Sequence, residues 1–126
     1  MERPVSRSLK LPFGELCLQI SKLGTDWHIL LWGGDTPHIG CTVLATPRPS
    51  LLDPHKISAT SSVLNITGHK DDILCRLIAE QVCRSVNAVT VCTGGFHLDH
   101  ISPQQIQQLL DAVPPFLDSI LSQMPI

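Results

Sequence analysis

Residues 71–86, DDILCRLIAEQVCRSV, carry the pattern that decides the fold class. Their apolar residues recur at spacings of three and four, which is typical of one face of an amphipathic helix. These residues are Ile73, Leu74, Leu77, Ile78, Val82 and Val86. The segments before this helix have a different period, so the chain changes from strands to helix at this point.

Four strands are predicted before the helix. Apolar and polar residues alternate over residues 15–21, which is the period of a half-buried strand. The second strand, Trp27–Trp32, is apolar on both faces, which indicates that it is covered more deeply than the first. The third strand, the proline-rich loop after it and the fourth strand are predicted at Cys41–Ala45, residues 46–57 and Ser58–Ile66.

After the helix the chain is predicted to form a short strand, Ala88–Cys92, and then a loop at Gly94-Gly95. A last helix opens at Ser102-Pro103, with Gln105 at the capping-box position. Pro114-Pro115 is expected to kink or break this helix, although the apolar residues beyond it stay in phase.

The resulting order is ββββαβα. Four consecutive strands joined mainly by turns favour an α+β fold, with a mainly antiparallel sheet and helices packed on one face. The length of 126 residues suits a single domain, and residues 1–10 are expected to be flexible.

Composition limits the classes of partner. Charged residues are 16 % of the chain and the net charge is −2, which does not favour binding to nucleic acid or to an anionic membrane. The low charged fraction suggests an apolar surface of the kind that a homo-oligomer buries, so self-association is expected.

The five cysteines are odd in number, lie mostly in apolar runs and include no Cys-x-x-Cys pair, so reduced core thiols are expected. The segment Met1–Lys10 is followed by no apolar signal-peptide region, and no stretch is long and apolar enough for a membrane span. The expected location is the cytoplasm.

Polar and glycine-rich segments follow the predicted strands at four places: residues 33–38, 47–50, 67–72 and 94–100. If these segments converge, they form one rim with imidazoles, a lysine and an arginine, which suits an anionic or heteroaromatic ligand. The start of the first helix, with His69 and Lys70, is either an anion site or an ordinary helix cap. Arg48 lies between two prolines and is either a stiff anion-binding residue or a solvated loop residue.

A metal site is a further alternative, because His97, Asp99 and His100 are close in sequence and His38 or His69 could join them. The spacing is not specific, since His97 and His100 face opposite ways in an extended segment. Loop hydrogen bonding or contact with a ligand is therefore favoured. The sequence contains no Gly-x-Ser-x-Gly elbow and no phosphate-binding glycine motif.

Five loop motifs occur in a characteristic order: GGDTPHIG at 33–40, PRPS at 47–50, SATSSV at 58–63, GHKDD at 68–72 and GGFHLD at 94–99. Together they resemble the LpdD-like prenylated-flavin chaperones, which are related in fold to proteasome assembly chaperones. The resemblance runs from about residue 13 to about residue 112.

The resemblance implies a non-enzymatic role, namely binding prenylated flavin mononucleotide (FMN), or FMN itself, during the maturation of flavin-dependent decarboxylases. It assigns the flavin phosphate to Arg48, His69 and Lys70. It assigns the flavin ring system to His38, Phe96 and His97, and Asp99 is a further cofactor-binding candidate. Two other functions stay open: an assembly scaffold without a small ligand, and a metal- or histidine-dependent hydrolase.

Overall fold

In a computed structural model, which describes residues 3–66 and 71–124, the chain forms one mixed sheet and two helices. The elements in chain order are β1 Val5–Leu11, β2 Gly14–Leu23, β3 Asp26–Gly34, β4 Cys41–Pro49, β5 Ile57–Asn65, α1 Asp72–Val86, β6 Thr90–His97 and α2 Pro103–Ser122.

The six strands lie in the order β1-β2-β3-β6-β4-β5. Only β3 and β6 pair in parallel, and the other neighbours are antiparallel, as expected for a mainly antiparallel sheet. Because β6 enters between β3 and β4, the loop after β3 and the end of β6 meet at the same end of the sheet. Gly34 is paired with His97 there, and Cys41 with Gly94.

A single core lies between one face of the sheet and both helices. Alternate residues of β2, β3 and β4 supply the sheet side of it, for example Leu18, Ile29 and Val43, which are fully buried. Helix α1 contacts β4, β5 and β6, while α2 contacts α1 and β1. The predicted packing of the helices on one face is therefore confirmed.

The predicted order ββββαβα lacks one strand, which is formed by the N-terminal region. Residues 1–10 were expected to be flexible, but Val5–Leu11 forms β1 and pairs with β2 over its whole length. The order is thus five strands, a helix, a strand and a helix. Leu9 and Leu11 pack against the core, and this short alternation around charged residues is too weak to indicate a strand from sequence.

Two other strands are longer than predicted. Strand β4 continues through Pro47 to Pro49, where a proline-rich loop was expected. Strand β6 pairs with β4 only as far as Ala45, so from Thr46 onward one side of β4 has no partner among the described strands, and proline is tolerated there. Strand β6 includes Gly94 and Gly95, which were predicted to form a loop.

The helices agree better with the sequence. Helix α1 covers the predicted apolar repeat, and α2 starts with the predicted capping box, in which Ser102 Oγ accepts from Gln105 N and Gln105 Oε1 accepts from Ser102 N. Pro114 and Pro115 do not break α2, which continues to Ser122. Among the described residues, neither helix combines the length and apolar character that crossing a membrane requires.

Candidate functional site

A pocket of about 420 Å³ opens at the end of the sheet where β6 finishes and α1 begins. Its walls come from α1, from α2 and from the segment that follows β6. Most of the lining is apolar, and the polar side chains lie at one side of it. The lining residues are His38, Asp71, Ile73, Leu74, Phe96, His97, Leu98, Ile101, Ile106, Leu109 and Leu110.

The polar side of the pocket is organised by Asp71, whose carboxylate is almost fully buried. Asp71 precedes the first residue of α1, but its side chain makes no capping bond to the helix. Instead, Oδ1 accepts from the Phe96 backbone N–H at 2.9 Å, and Oδ2 lies 2.8 Å from Nε2 of His38. Asp71 thus joins α1, β6 and the loop after β3.

His38 faces acceptors at both ring nitrogens, because Nδ1 lies 3.0 Å from the Thr36 carbonyl oxygen. A carbonyl and a carboxylate both favour the doubly protonated imidazolium. Partial burial alone would lower the pKa of His38, but the hydrogen bonds to Thr36 and Asp71 and the negative charge of Asp71 raise it above its usual value of 6.5. Below this raised pKa, His38 and Asp71 form an ion pair on one side of the pocket.

Two glycines leave room for this ion pair. A Cβ at Gly40 would overlap the Asp71 carboxylate, and a Cβ at Gly95 would overlap both His38 and Asp71. Gly95 lies within β6, and the Gly40 N–H donates to the Gly94 carbonyl at 2.9 Å. The close approach of the His38 and Asp71 side chains, rather than a loop conformation, explains why residue 95 is glycine.

Phe96 and His97 complete the rim. The His97 ring lies edge-on to His38, with 6.1 Å between the ring centroids, and its Nε2 lies 2.9 Å from Asp99 Oδ1. The His97 and Asp99 side chains are half or more exposed. His97 can therefore meet a ligand at the mouth, whereas the His38 and Asp71 pair is fixed behind it.

The predicted site residues divide into three groups. His38, Phe96, His97 and Asp99 come together at the pocket end of the sheet. His69 and Lys70 fall outside the described residues. The predicted place of Arg48 is corrected. Arg48 lies seven residues beyond Cys41 along β4, about 23 Å from the pocket end at the usual rise of a strand.

Arg48 also has partners of its own at that distant end. Its Nε donates to Thr60 Oγ1 at 2.8 Å, and its Nη1 donates to the Pro49 carbonyl at 3.1 Å. The prediction that the polar segments converge on one rim was therefore wrong for residues 47–50. Arg48 therefore lies in a strand rather than in the predicted loop, and it has hydrogen-bond partners on β4 and β5.

Sequence reasoning missed Asp71 and the apolar wall. Asp71 was not among the predicted site residues, although it is buried and bonded to two other elements. Ile73 and Ile106, which line the pocket, are 59 % and 43 % exposed. Large apolar residues left exposed in the first turns of both helices are the signal that could have indicated a pocket.

A metal- or histidine-dependent hydrolase would need a group of metal ligands or an activated nucleophile. Within residues 3–66 and 71–124, no three His, Cys, Asp or Glu side chains are arranged to hold a metal ion. Burial raises the pKa of the Cys41 thiol, and a hydrogen bond with the Cys92 thiol, together with burial, raises the pKa of Cys75. Both thiols are therefore protonated at neutral pH and are poor nucleophiles.

A scan against protein families matches residues 14–125 to the prenylated flavin chaperone LpdD-like domain. The chain belongs to this family. The match includes every strand except β1, both helices and all residues that line the pocket. The family resemblance inferred from the loop motifs is thereby confirmed, and a chaperone domain is what it identifies.

Among solved structures, the fold is similar to that of a chain from a chaperone complex for yeast 20S proteasome assembly. The two share 17 % sequence identity with a TM-score of 0.57, and the alignment covers 98 % of each chain. At that identity the likeness shows the fold alone, which is the relationship to proteasome assembly chaperones expected from sequence. A search of curated proteins finds no match.

Proposed function

We propose that this LpdD-like domain binds prenylated FMN, or FMN itself, in the pocket beside α1 and α2. The observation that carries the proposal is an apolar pocket in a chain of a prenylated-flavin chaperone family. Small-molecule sites usually measure about 300–1,000 Å³, are mostly apolar and contain a few polar groups that orient the ligand. The pocket, at about 420 Å³, fits this description.

In this proposal the prenylated ring system lies against the apolar wall formed by Ile73, Ile106 and Leu110. Phe96 and His97 contact the ring at the rim, where an aromatic face and an imidazole can stack on a flat heterocycle. His38 supports this surface through Asp71.

We assign binding of the flavin phosphate to groups near the start of α1. His69 and Lys70 are adjacent in sequence to Asp71, which lines the pocket, so the phosphate site predicted there remains part of the proposal. Arg48 has no role in it within one copy of the chain.

The protein would hold the flavin and deliver it to a flavin-dependent decarboxylase in the cytoplasm, without catalysing a reaction itself. Asp99, bonded to His97 at the exposed mouth, lies where an acceptor protein would first meet the bound flavin. An assembly scaffold without a small ligand is the alternative to which a failure of flavin binding would point.

The test is a fluorescence titration of the purified protein with FMN and with prenylated FMN, using two matched variants. Ile106→Glu puts a carboxylate into the pocket wall, and Ile57→Glu puts one at the other end of the sheet. The two residues are similarly exposed, at 43 % and 39 %. We expect saturable binding that Ile106→Glu weakens at least about tenfold, because a buried carboxylate is costly and repels phosphate.

Ile57→Glu should bind like the wild type, since Ile57 does not line the pocket. Circular dichroism of both variants checks that they are folded. Absence of binding by the folded wild type would contradict the flavin proposal and favour the scaffold. Equal losses in the two variants would contradict the placement of the site.

A further inference from the structure

Strand β5 forms one edge of the sheet, because it pairs with β4 on one side and with no other strand among the described residues. It is nine residues long, and all nine pair with β4 in one continuous register without a bulge. Its sequence, ISATSSVLN, contains neither a charged residue nor a proline. Proteins usually protect an edge strand by charge, proline, a bulge or short length, and β5 has none of these protections.

The opposite edge of the sheet is built differently. Strand β1, VSRSLKL, is seven residues long and carries Arg7 and Lys10, both of which are exposed. Charged side chains on an edge strand oppose its pairing with another chain. Of the two edges, β5 is therefore the one suited to pair with a further strand.

A proline of β4 shows which backbone groups of β5 face this open edge. Along an antiparallel pair, residues that exchange both hydrogen bonds alternate with residues whose N–H and carbonyl point away from the partner. Pro47 has no N–H to exchange, and it pairs with Ala59. The next carbonyl, of Thr60, accepts from a β4 hydroxyl at 3.4 Å. The backbone groups of Ala59, and by alternation those of Ser61 and Val63, therefore point to the open edge.

A strand added at the open edge would lie beside α1. Ser61 Oγ donates to Glu80 Oε1 at 3.3 Å, so the face of α1 that carries Glu80 lies next to β5. Arg76 and Arg84 lie four residues before and after Glu80, and they therefore share this face. The side chains that an added strand turns towards α1 would meet these two guanidinium groups.

The charges that a partner would meet first are basic. On this part of α1, Arg76 and Arg84 are exposed, whereas Asp72 and Glu80 are partly buried. Lys56, which directly precedes β5, is exposed as well. A partner segment therefore gains from carboxylates on the side that faces α1, because arginine binds carboxylates by charge-assisted hydrogen bonds.

The other face of β5 favours a different kind of side chain. Thr60, Ser62 and Leu64 alternate with the residues on the helix side, and all three are exposed and uncharged. Cross-strand neighbours on such a face are stabilised by contact between β-branched or apolar side chains. The best partner segment thus alternates acidic residues with uncharged β-branched residues.

We propose that β5 is a docking edge for an extended acidic segment of a partner protein. The segment pairs with β5 as one more strand of the sheet and places its carboxylates against Arg76 and Arg84. In such strand addition the main-chain hydrogen bonds supply affinity and the alternate side chains supply specificity. No residue of β5 lines the flavin pocket, so this proposal and the flavin proposal can fail separately.

The first test uses a capped peptide of about seven residues in which glutamate alternates with valine, a length typical of a strand. In NMR titrations of the labelled protein, this peptide should shift the amide signals of Ala59, Ser61 and Val63 most strongly and slow their hydrogen exchange. Two further peptides carry N-methyl groups, one on the glutamates and one on the valines. Each methylation blocks one edge of the peptide, so one of them should lose affinity at least about tenfold and the other should bind like the parent.

The second test reverses charge on the protein. The double variant Arg76→Glu with Arg84→Glu should bind the glutamate peptide at least about tenfold more weakly than the wild type does. It should also bind a peptide in which lysine replaces glutamate better than the wild type does, since the charges are then complementary again. The matched control, Arg7→Glu with Lys10→Glu on β1, changes the net charge equally and should bind like the wild type. Circular dichroism checks that both variants are folded.

Four results would overturn the proposal. The first is no saturable binding of the glutamate peptide by the folded wild type up to about 1 mM. The second is equal affinity for the two N-methylated peptides, and the third is an equal loss of affinity in the two charge variants. The fourth is slow hydrogen exchange of the Ala59, Ser61 and Val63 amides in the protein alone, because another copy of the chain would then occupy the edge.

Discussion

The two ends of β4 carry similar motifs but are built in different ways. Before β4, the loop with His38 and Gly40 contributes His38 to a partly buried pair with Asp71 beside an apolar pocket. After it, the segment around Arg48 satisfies its own polar groups on the surface, and Leu51 and Leu52 are almost fully exposed. A loop rich in glycine, proline and charge therefore indicates a ligand site only when other elements converge on it.

The largest effect on the free energy of unfolding is expected for Asp71, and Asp53, near the other end of β4, is its control. Asp71→Ala removes, at a nearly buried position, the acceptor of the Phe96 N–H and the carboxylate beside Nε2 of His38. We expect a loss of roughly 2–4 kcal/mol in the free energy of unfolding, measured with urea. Asp53 also accepts a backbone N–H, from His55, but in an exposed loop, so Asp53→Ala should cost less than about 1 kcal/mol. Similar losses would contradict the structural contrast between the ends.

Gly95→Ala should have the next largest effect. The added methyl group would overlap His38 and Asp71, and such overpacking typically costs about 1–3 kcal/mol. Gly14→Ala is the matched control, because its Cβ would make only ordinary contacts at 3.6 and 3.8 Å. Urea unfolding of both variants measures the difference. If Gly95→Ala proved as stable as Gly14→Ala, the ion pair would not be packed as tightly as described.

A smaller, pH-dependent effect on stability is expected from His38. Because the pKa of His38 is raised in the folded protein, the folded state binds this proton more tightly than the unfolded chain does. The added stability is therefore complete below the unfolded value of 6.5 and is lost as pH rises through the folded pKa.

His38→Gln removes this contribution, which should be about 1–2 kcal/mol at pH 5.5. Urea unfolding of the wild type and the variant between pH 5.5 and 9 should show their difference shrinking as pH rises. A difference that stays constant or grows would show that His38 is not held as a cation by Asp71.

The smallest effect is expected for Arg48→Ala, at the other end of β4. It removes hydrogen bonds to Thr60 and Pro49 that are exposed to water, so the cost should stay below about 1 kcal/mol. Flavin affinity should not change. A tenfold loss of FMN affinity in this variant would place the phosphate near Arg48 and would contradict the assignment of the site to the pocket end.

Much of the fold could be predicted from residues whose side chains carry a period. The apolar repeat of α1, the capping box at Ser102 and the strands of the β2–β3 hairpin were all read correctly. The failures have a common cause, because Gly94, Gly95, Pro47 and Pro49 extend strands while offering no side-chain pattern. Their place in the sheet depends on neighbouring strands that are distant in sequence.

The candidate site was predictable in part. His38, Phe96 and His97 were correctly placed together, because His38 follows β3 while Phe96 and His97 end the parallel strand β6 at the same end of the sheet. Arg48 also follows strand-like residues, but β4 runs antiparallel to β6, so Arg48 lies at the opposite end of the sheet. Asp71 could not be recognised, since its role depends on contacts with residues 25 and 33 positions away in sequence.

The most direct test of the central claim is to map flavin binding on the isotope-labelled protein by NMR. Titration with FMN and prenylated FMN should shift the amide signals of Phe96, His97 and Ile106 most strongly, while those of Arg48 and Leu52 stay unchanged. The largest shifts at residues 46–58, with the pocket signals unmoved, would contradict the claim that the flavin site lies between β6, α1 and α2.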